Sequence, residues 1–302
     1  MGVIPSARPT DRASAPAPGR ADRWLRPLGW ASLVANIVLV VTGGAVRLTG
    51  SGLGCPTWPR CTDRAFTPHG AYSVHSVIEF GNRMLTFVLV AVAVATFLAA
   101  WRSGRPELRR LALLLALAIP AQAVIGGITV LTDLNPWIVS FHLLLSLAVV
   151  GVAVVFLRRI DHPRPVRAHG PLVALAWLTF AAAWVVLYIG TVVTGSGPHA
   201  GDASSPRNGL DPLQLSQLHA DAVFLFVGLT VGLLLALLAS GAHREARTAV
   251  AVLLALEVAQ GAIGFVQYFT DLPVVLVGFH MLGAALISAS VTWTLVRVRE
   301  PA

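Results

Sequence analysis

Eight long apolar segments dominate this sequence of 302 residues. Each approaches or exceeds the ~20 residues that cross a bilayer as an α-helix. Charged residues make up only 12% and hydrophobic residues 56%, whereas a soluble domain carries about 25% charged residues. The sequence therefore predicts an all-α polytopic membrane protein with eight transmembrane helices. The predicted spans are roughly 27–46, 73–100, 109–131, 137–157, 171–193, 213–239, 247–269 and 274–296.

Arginine supplies the whole positive charge, because the 22 basic residues include no lysine and the net charge is +8. The arginines concentrate before span 1, after every even-numbered span and at the C-terminal end, while the opposite loops hold few. The positive-inside rule then places both termini in the cytoplasm. Since no soluble basic domain exists, the charge indicates membrane topology and not nucleic-acid binding. Residues 1–22, rich in Pro, Ala, Ser and Arg, predict a disordered cytoplasmic tail.

An internal repeat divides the rest of the chain. The stretch AQAVIGGITVLTDLNPWIVSFHLLLS (121–146) matches AQGAIGFVQYFTDLPVVLVGFHMLGA (259–284) at an offset of 138 residues. Each half holds an even number of spans, so both enter the membrane in the same direction. We expect two tandem four-helix bundles related by a pseudo-twofold axis along the membrane normal. The predicted halves are residues 23–160 and 161–302.

Three histidines lie inside predicted spans, where a polar ring is costly to bury and often functional. His219 and His280 lie about a third of the way into spans 6 and 8, at matched depth, and His142 takes the equivalent place in span 4. Two imidazoles on facing helices can supply both axial ligands of a haem iron. Zinc more often has three or four ligands. Alternatively, each histidine is a buried polar residue bonded to a neighbouring helix.

The first half offers a different set of side chains. His75, Glu79 and Asn82 share one face of span 2 at spacings i, i+4 and i+7. Asn82 occupies the position that the repeat assigns to His219, and asparagine is a poor iron ligand. We therefore expect a partly open site between this face and His142.

Glu79 admits two interpretations. As a buried carboxylate it can act as a base or stabilise a cation formed during an oxidation. Alternatively it pairs with Arg83, four residues further along the helix. Arg47 and Arg83 can instead neutralise the propionates of a haem.

Three motifs make the chain resemble heme A synthase in an eight-span form. They are GSGLGCPTWPRC (50–61), IEFGNR (78–83) and the Phe-His pairs of spans 4 and 8, and the similarity covers about residues 27–296. The resemblance implies oxidation of the C8 methyl of haem O to a formyl group, through successive hydroxylations and dehydration of a gem-diol. The product, haem A, serves terminal oxidases.

The resemblance also implies site roles. A resident haem b would be held by His219 and His280, whereas the substrate haem would lie near His142 and Glu79. Many family members carry Glu-x-x-His in span 2, but this chain has Asn82 at that position. Ligation of the substrate haem by the usual histidine pair is therefore excluded: either His75 replaces the missing ligand, or the iron keeps an open or water-filled position.

Cys55 and Cys61 lie in the first external loop, where an oxidising compartment favours a small disulfide. Such a bond would pin the loop over the substrate pocket or serve as a thiol relay, and the sequence leaves both roles open. The GSG motif recurs at 195–197 without cysteines, so the loop 194–211 is held in another way.

Two rival functions remain. A bis-histidine b-type cytochrome passing electrons to or from quinone explains His219 and His280 but leaves Glu79 and the cysteine loop unexplained. A transporter would have broken helices and charges along a path through the membrane. The resemblance places the chain in a bacterial plasma membrane. It implies as partners the enzyme that supplies haem O, the terminal oxidase assembly and membrane lipid, and it allows a homo-oligomer.

Overall fold

The computed structural model describes residues 22–68, 73–161 and 170–300, and within these ranges its regular structure is entirely α-helical. All eight helices are long and apolar enough to cross a membrane, which confirms the predicted fold class. Apart from its last residue, the predicted tail at 1–22 lies outside the described residues. The helices are α1 (Asp22–Leu48), α2 (Val74–Arg102), α3 (Pro106–Leu131), α4 (Pro136–Asp161), α5 (Pro171–Ser196), α6 (Pro212–Ala239), α7 (Arg244–Phe269) and α8 (Val274–Val298).

Most helices extend a few residues beyond the apolar spans. The end of α4, predicted at 157, lies at Asp161, and Arg158 in this last turn forms an ion pair with Glu300 after α8. Four helices, α3 to α6, begin at proline, which suits a first turn because the amide there has no partner within the helix. Hydropathy therefore locates each helix but misses polar terminal turns.

Each half packs as a ring of four helices. In the first half α1 contacts α2, α2 contacts α3, α3 contacts α4 and α4 returns to α1; α5 to α8 repeat this order. Among the described residues, the diagonal pairs α2–α4 and α6–α8 make no close backbone approach. The helices that carry the candidate histidines therefore face each other across the middle of each ring.

The sequence repeat produces the same local turn twice. Asp133 and Leu134, between α3 and α4, have φ of 52° and 60°, and Asp271 and Leu272, between α7 and α8, have φ of 57° and 56°. Positive φ is uncommon for residues other than glycine, so its recurrence at the 138-residue offset supports the alignment of the halves. The pseudo-twofold relation and the two-half division stay predictions.

The loops of both halves meet at one end of the bundle, which we call the disulfide end (residues 49–68, 132–135, 197–211 and 270–273). The Gly52 amide donates to the Gly201 carbonyl at 2.8 Å. Arg47, in the last turn of α1, donates from Nε to the His199 carbonyl at 2.5 Å and from Nη2 to the Thr194 carbonyl at 2.7 Å. The second half therefore covers part of the first, and Arg47 is committed to this contact.

Candidate functional site

The second half brings two predicted ligands together. The rings of His219 on α6 and His280 on α8 have centroids 6.4 Å apart and planes inclined at 74° to each other. Both residues lie about 10 Å along their helices from the disulfide end, at 1.5 Å per residue. Each ring has a buried Nδ1 with no hydrogen-bond partner among the described residues. The pair is therefore at matched depth, with unsatisfied ring nitrogens.

This spacing fits one metal ion between two imidazoles. A metal–nitrogen bond of about 2 Å on each side, plus about 1 Å from each nitrogen to its ring centre, separates the centres by about 6 Å. The observed separation is 6.4 Å. Within the described residues, no group of three or more His, Cys, Asp or Glu side chains is placed to hold a metal ion. The pair thus suits axial ligation of a haem iron, whose other ligands come from the porphyrin.

A glutamine holds the helical turn of one histidine in each half. Gln260 on α7 donates to the His280 carbonyl at 2.9 Å. Gln122 on α3 donates to the His142 carbonyl at 3.3 Å and to the Ser146 hydroxyl at 2.6 Å. The sequence repeat aligns Gln122 with Gln260. In both halves this glutamine binds the backbone carbonyl of the histidine and so holds the turn that carries it.

Each candidate histidine ring also lies against a glycine on a neighbouring helix. A Cβ added to that glycine would lie 3.1–3.6 Å from the ring's Cε1 atom, which is tight at Gly190 and Gly126 and an ordinary van der Waals contact at Gly264. Sequence reasoning aligned two of these glycines but gave them no role, and it missed the third on α5. The pairs are His142 with Gly126, His219 with Gly190, and His280 with Gly264.

In the first half Glu79 is attached to the disulfide loop (residues 51–61). Its side chain is buried, and its Oε1 accepts from Arg83 at 2.5 Å from Nη2 and 3.2 Å from Nε. Its Oε2 accepts from the Cys55 amide at 2.6 Å. The carboxylate therefore forms the ion pair that the spacing to Arg83 allowed, and it also anchors the loop.

Arg83 binds the same loop through its carbonyls. Nη1 donates to Arg60 at 3.2 Å and Thr57 at 3.4 Å, and Nη2 donates to Cys55 at 3.1 Å and Thr57 at 3.3 Å. All three guanidinium nitrogens are thus engaged within the protein. The sequence could not reveal this role, because the path of an irregular loop leaves no periodic signal.

The predicted disulfide is present. Cys55 and Cys61 are bonded, and both residues are buried, with 0% and 1% of their surface exposed. Glu79 and Arg83, both on α2, bind the loop that contains the two cysteines. The disulfide therefore closes a loop that is already attached to this helix.

Asn82 and His75 lie at different depths on α2. Asn82 is about 12 Å from the start of the helix, close to the depth of His142 on α4, and its Oδ1 is buried without a partner among the described residues. His75 is the second residue of α2, is exposed, and its Nδ1 is 3.0 Å from the Ser51 hydroxyl. Asn82, not His75, therefore shares the level of His142.

Asp202, in the loop between α5 and α6, provides a charge near His75. The hydroxyl and amide of Ser204 donate to its carboxylate at 2.6 and 2.8 Å. These two bonds lower the pKa of Asp202, and the nearby His75 acts in the same direction. The outer edge of the first half thus combines groups from both halves.

The fold and the site define an eight-helix membrane protein with a histidine pair in one half and, in the other, a buried carboxylate under a disulfide loop. A model of the COX15-CtaA family, described as cytochrome oxidase assembly protein, matches residues 26–205, more than half of the chain. The chain belongs to this family.

Two of the relatives, both heme A synthases, agree with that assignment. The Heme A synthase of Staphylococcus epidermidis is 26% identical over 278 residues, which is 84% of this chain and 90% of the relative. The Heme A synthase of Bradyrhizobium sp. is 29% identical over 204 residues, 55% and 56% of the two chains. A shorter match, 32% identical over 120 residues, is to the Protoheme IX farnesyltransferase of Halobacterium salinarum and covers 39% of this chain and 26% of that protein.

Proposed function

We propose that the protein is a heme A synthase, an oxidoreductase of haem biosynthesis that converts the C8 methyl of haem O to the formyl group of haem A. The observation that carries the proposal is the His219–His280 ring pair, with centroids 6.4 Å apart, in a chain that aligns over most of its length with a heme A synthase. The electron-carrier cytochrome is not favoured, because it leaves the carboxylate and disulfide loop of the other half without a role.

The second half would hold a resident haem b. His219 and His280 would ligate its iron, and the absence of a side chain at Gly190, where a Cβ would lie 3.1 Å from Cε1, gives the His219 ring room. Gln260 fixes the turn that presents His280. When bound, the haem would supply one-electron transfer; the protein holds both ligands at one depth in a largely apolar ring.

The first half would bind the substrate haem O. His142 offers one imidazole, and Asn82, at about the same depth on the diagonal helix α2, leaves the opposite position open or water-filled. Glu79 is the proposed catalytic carboxylate, positioned by Arg83 and by the Cys55 amide. Because both of its oxygens accept hydrogen bonds, its orientation is fixed before substrate enters.

The cellular setting follows from the same proposal. The disulfide end faces outward from a bacterial plasma membrane and both termini lie in the cytoplasm, as the arginine distribution favours. Haem O would arrive from the enzyme that makes it, and haem A would pass to terminal oxidase assembly.

Pigment analysis tests this function. Membranes containing the chain and a source of haem O would be extracted and their haems separated, with Glu79→Ala and His280→Ala beside the wild type. We expect haem A in the wild type, almost none with Glu79→Ala although haem b is retained, and weakened haem b binding with His280→Ala. A wild type that binds haem b but never produces haem A from haem O would contradict the proposal and favour the cytochrome.

A further inference from the structure

The disulfide loop places one aromatic side chain on α3. Gly127 is buried, and a Cβ added to it would overlap the indole ring of Trp58. Trp58 therefore packs directly on the backbone of α3, at a position where the helix has no side chain of its own.

This contact adjoins the candidate histidine of the first half. The preceding residue, Gly126, faces His142: a Cβ there would lie 3.3 Å from Cε1 and 3.6 Å from Nε2 of the ring. Consecutive glycines of α3 thus lie against Trp58 and against His142. Trp58 is 37% exposed as a residue in spite of this packing, so the protein does not cover it fully.

The second half differs at this point. The repeat aligns Gly264 with Gly126, and Gly264 has the equivalent contact, with an added Cβ 3.6 Å from Cε1 of His280. The next residue, however, is Phe265, where the first half has Gly127. In the second half the helix therefore carries an aromatic side chain of its own at this position, and Phe265 is 52% exposed, whereas in the first half the helix has no side chain there and an aromatic side chain from a loop packs on it.

Trp58 is also held in place from α2. It lies between residues whose carbonyls accept from Arg83, namely Thr57 at 3.3 Å and Arg60 at 3.2 Å, and the disulfide closes the loop around it. The ring is therefore positioned by the loop, and it moves with the loop when these bonds open.

We infer that Trp58 is a binding residue for the planar apolar ring system of the substrate, forming an aromatic wall beside His142 that is carried on the disulfide loop and not on a helix. The inference rests on the proposed function. A substrate must enter and leave its site, and an aromatic side chain carried on a loop is less firmly fixed at that site than one carried on a helix. Stacking on an aromatic ring slows release without requiring a further covalent bond.

The test measures haem release from the purified full chain in lipid nanodiscs. Transfer of haem to excess apomyoglobin is followed by absorbance, and the phase missing in His142→Ala is assigned to the first half. Trp58→Ala should accelerate that phase about three- to tenfold, the loss expected for one aromatic contact. Trp58→Phe should restore most of the wild-type rate, and Phe66→Ala, an exposed aromatic in the segment just after the loop, should leave it unchanged.

A second variant reaches the same contact from the helix. Gly127→Ala should displace the indole and accelerate the same phase, whereas Gly261→Ala, with no atom within 4 Å of the added Cβ, should not. The slower phase from the second half serves as the folding control. Unchanged release in both Trp58→Ala and Gly127→Ala would overturn the inference alone. If no phase depends on His142, the inference and the proposed substrate site fail together.

Discussion

Replacement of Arg83 by alanine tests how the disulfide loop is held. The side chain is 22% exposed, pairs with a nearly buried Glu79 and donates to the carbonyls of Cys55, Thr57 and Arg60 at 3.1–3.4 Å. Breaking a buried ion pair costs about 3–5 kcal/mol, and a hydrogen bond to a charged group contributes about 1.5–3 kcal/mol. Because Arg83 is partly exposed and its loop bonds are long, we take the lower end, about 3 kcal/mol, as the loss in loop stability.

That loss should appear as faster reduction of the disulfide. Both cysteines are buried, so a soluble phosphine reaches the bond when the loop opens. At 1.4 kcal/mol per factor of ten, about 3 kcal/mol corresponds to a roughly 100-fold rise in the open population and in the reduction rate. The rate is measured by quenching samples with a maleimide polymer and following the gel shift.

Two further variants make this assay specific. Arg83→Lys keeps a charge near Glu79 but lacks the planar fork that serves several carbonyls at once, so its rate should fall between those of wild type and alanine. Arg64→Ala removes an exposed arginine just beyond Cys61 and should leave the rate unchanged. If the disulfide of Arg83→Ala is reduced at a rate within twofold of wild type while the helix content of the variant is intact, Arg83 does not hold the loop.

Two other predictions concern the helix contacts. Gly44→Val should lower the free energy of unfolding by about 1 kcal/mol, because a Cβ at 44 would lie 2.7 Å from Sδ of Met281 on α8 and the flexible methionine must move aside. Gly43→Val, with open space around the added Cβ, is the control, and equal thermal stability of the two variants would contradict the prediction. Glu257→Gln should keep the 2.7 Å bond from Thr230 and remain within about 1 kcal/mol of wild type. Glu257→Ala should lose about 2–4 kcal/mol through a cavity and the loss of that bond, which leaves the Thr230 hydroxyl only its 3.1 Å bond to the Phe226 carbonyl. Thermal unfolding by circular dichroism compares both, and equal losses in the glutamine and alanine variants would show that the charge, not the bond, matters.

The sequence predicted the helices because a helix that crosses a bilayer needs a long run of apolar residues, and the length of such a run can be read directly from the sequence. It predicted that His219 and His280 lie close together, because spans 6 and 8 begin on the same side of the membrane and the two residues lie at similar distances from those starts. The ring pair is present in the structure. It also offered the pairing of Glu79 with Arg83 from their spacing alone.

Other parts of the site depend on contacts that no pattern encodes. The bonds of Arg83 to loop carbonyls and the packing of Trp58 on Gly127 require the path of an irregular loop. Glu257 was missed although a signal existed, because an acidic residue inside an apolar span is costly. Thr230 on α6 donates to its Oε1, whereas its buried Oε2 has no partner among the described residues.

The contact of Arg47 with the second half limits how this chain can be divided. An arginine at the end of α1 closes on carbonyls of Thr194 and His199, and the Gly52 amide bonds Gly201 beside them. The repeat invites a cut between α4 and α5, as though each half were a separable module. A hybrid that joins the first half of one relative to the second half of another would, however, mismatch these contacts unless residues 194–211 come from the same relative as α1. The unit that can be exchanged by recombination is therefore set by these contacts between the two halves at the disulfide end, and not by the boundary of the sequence repeat.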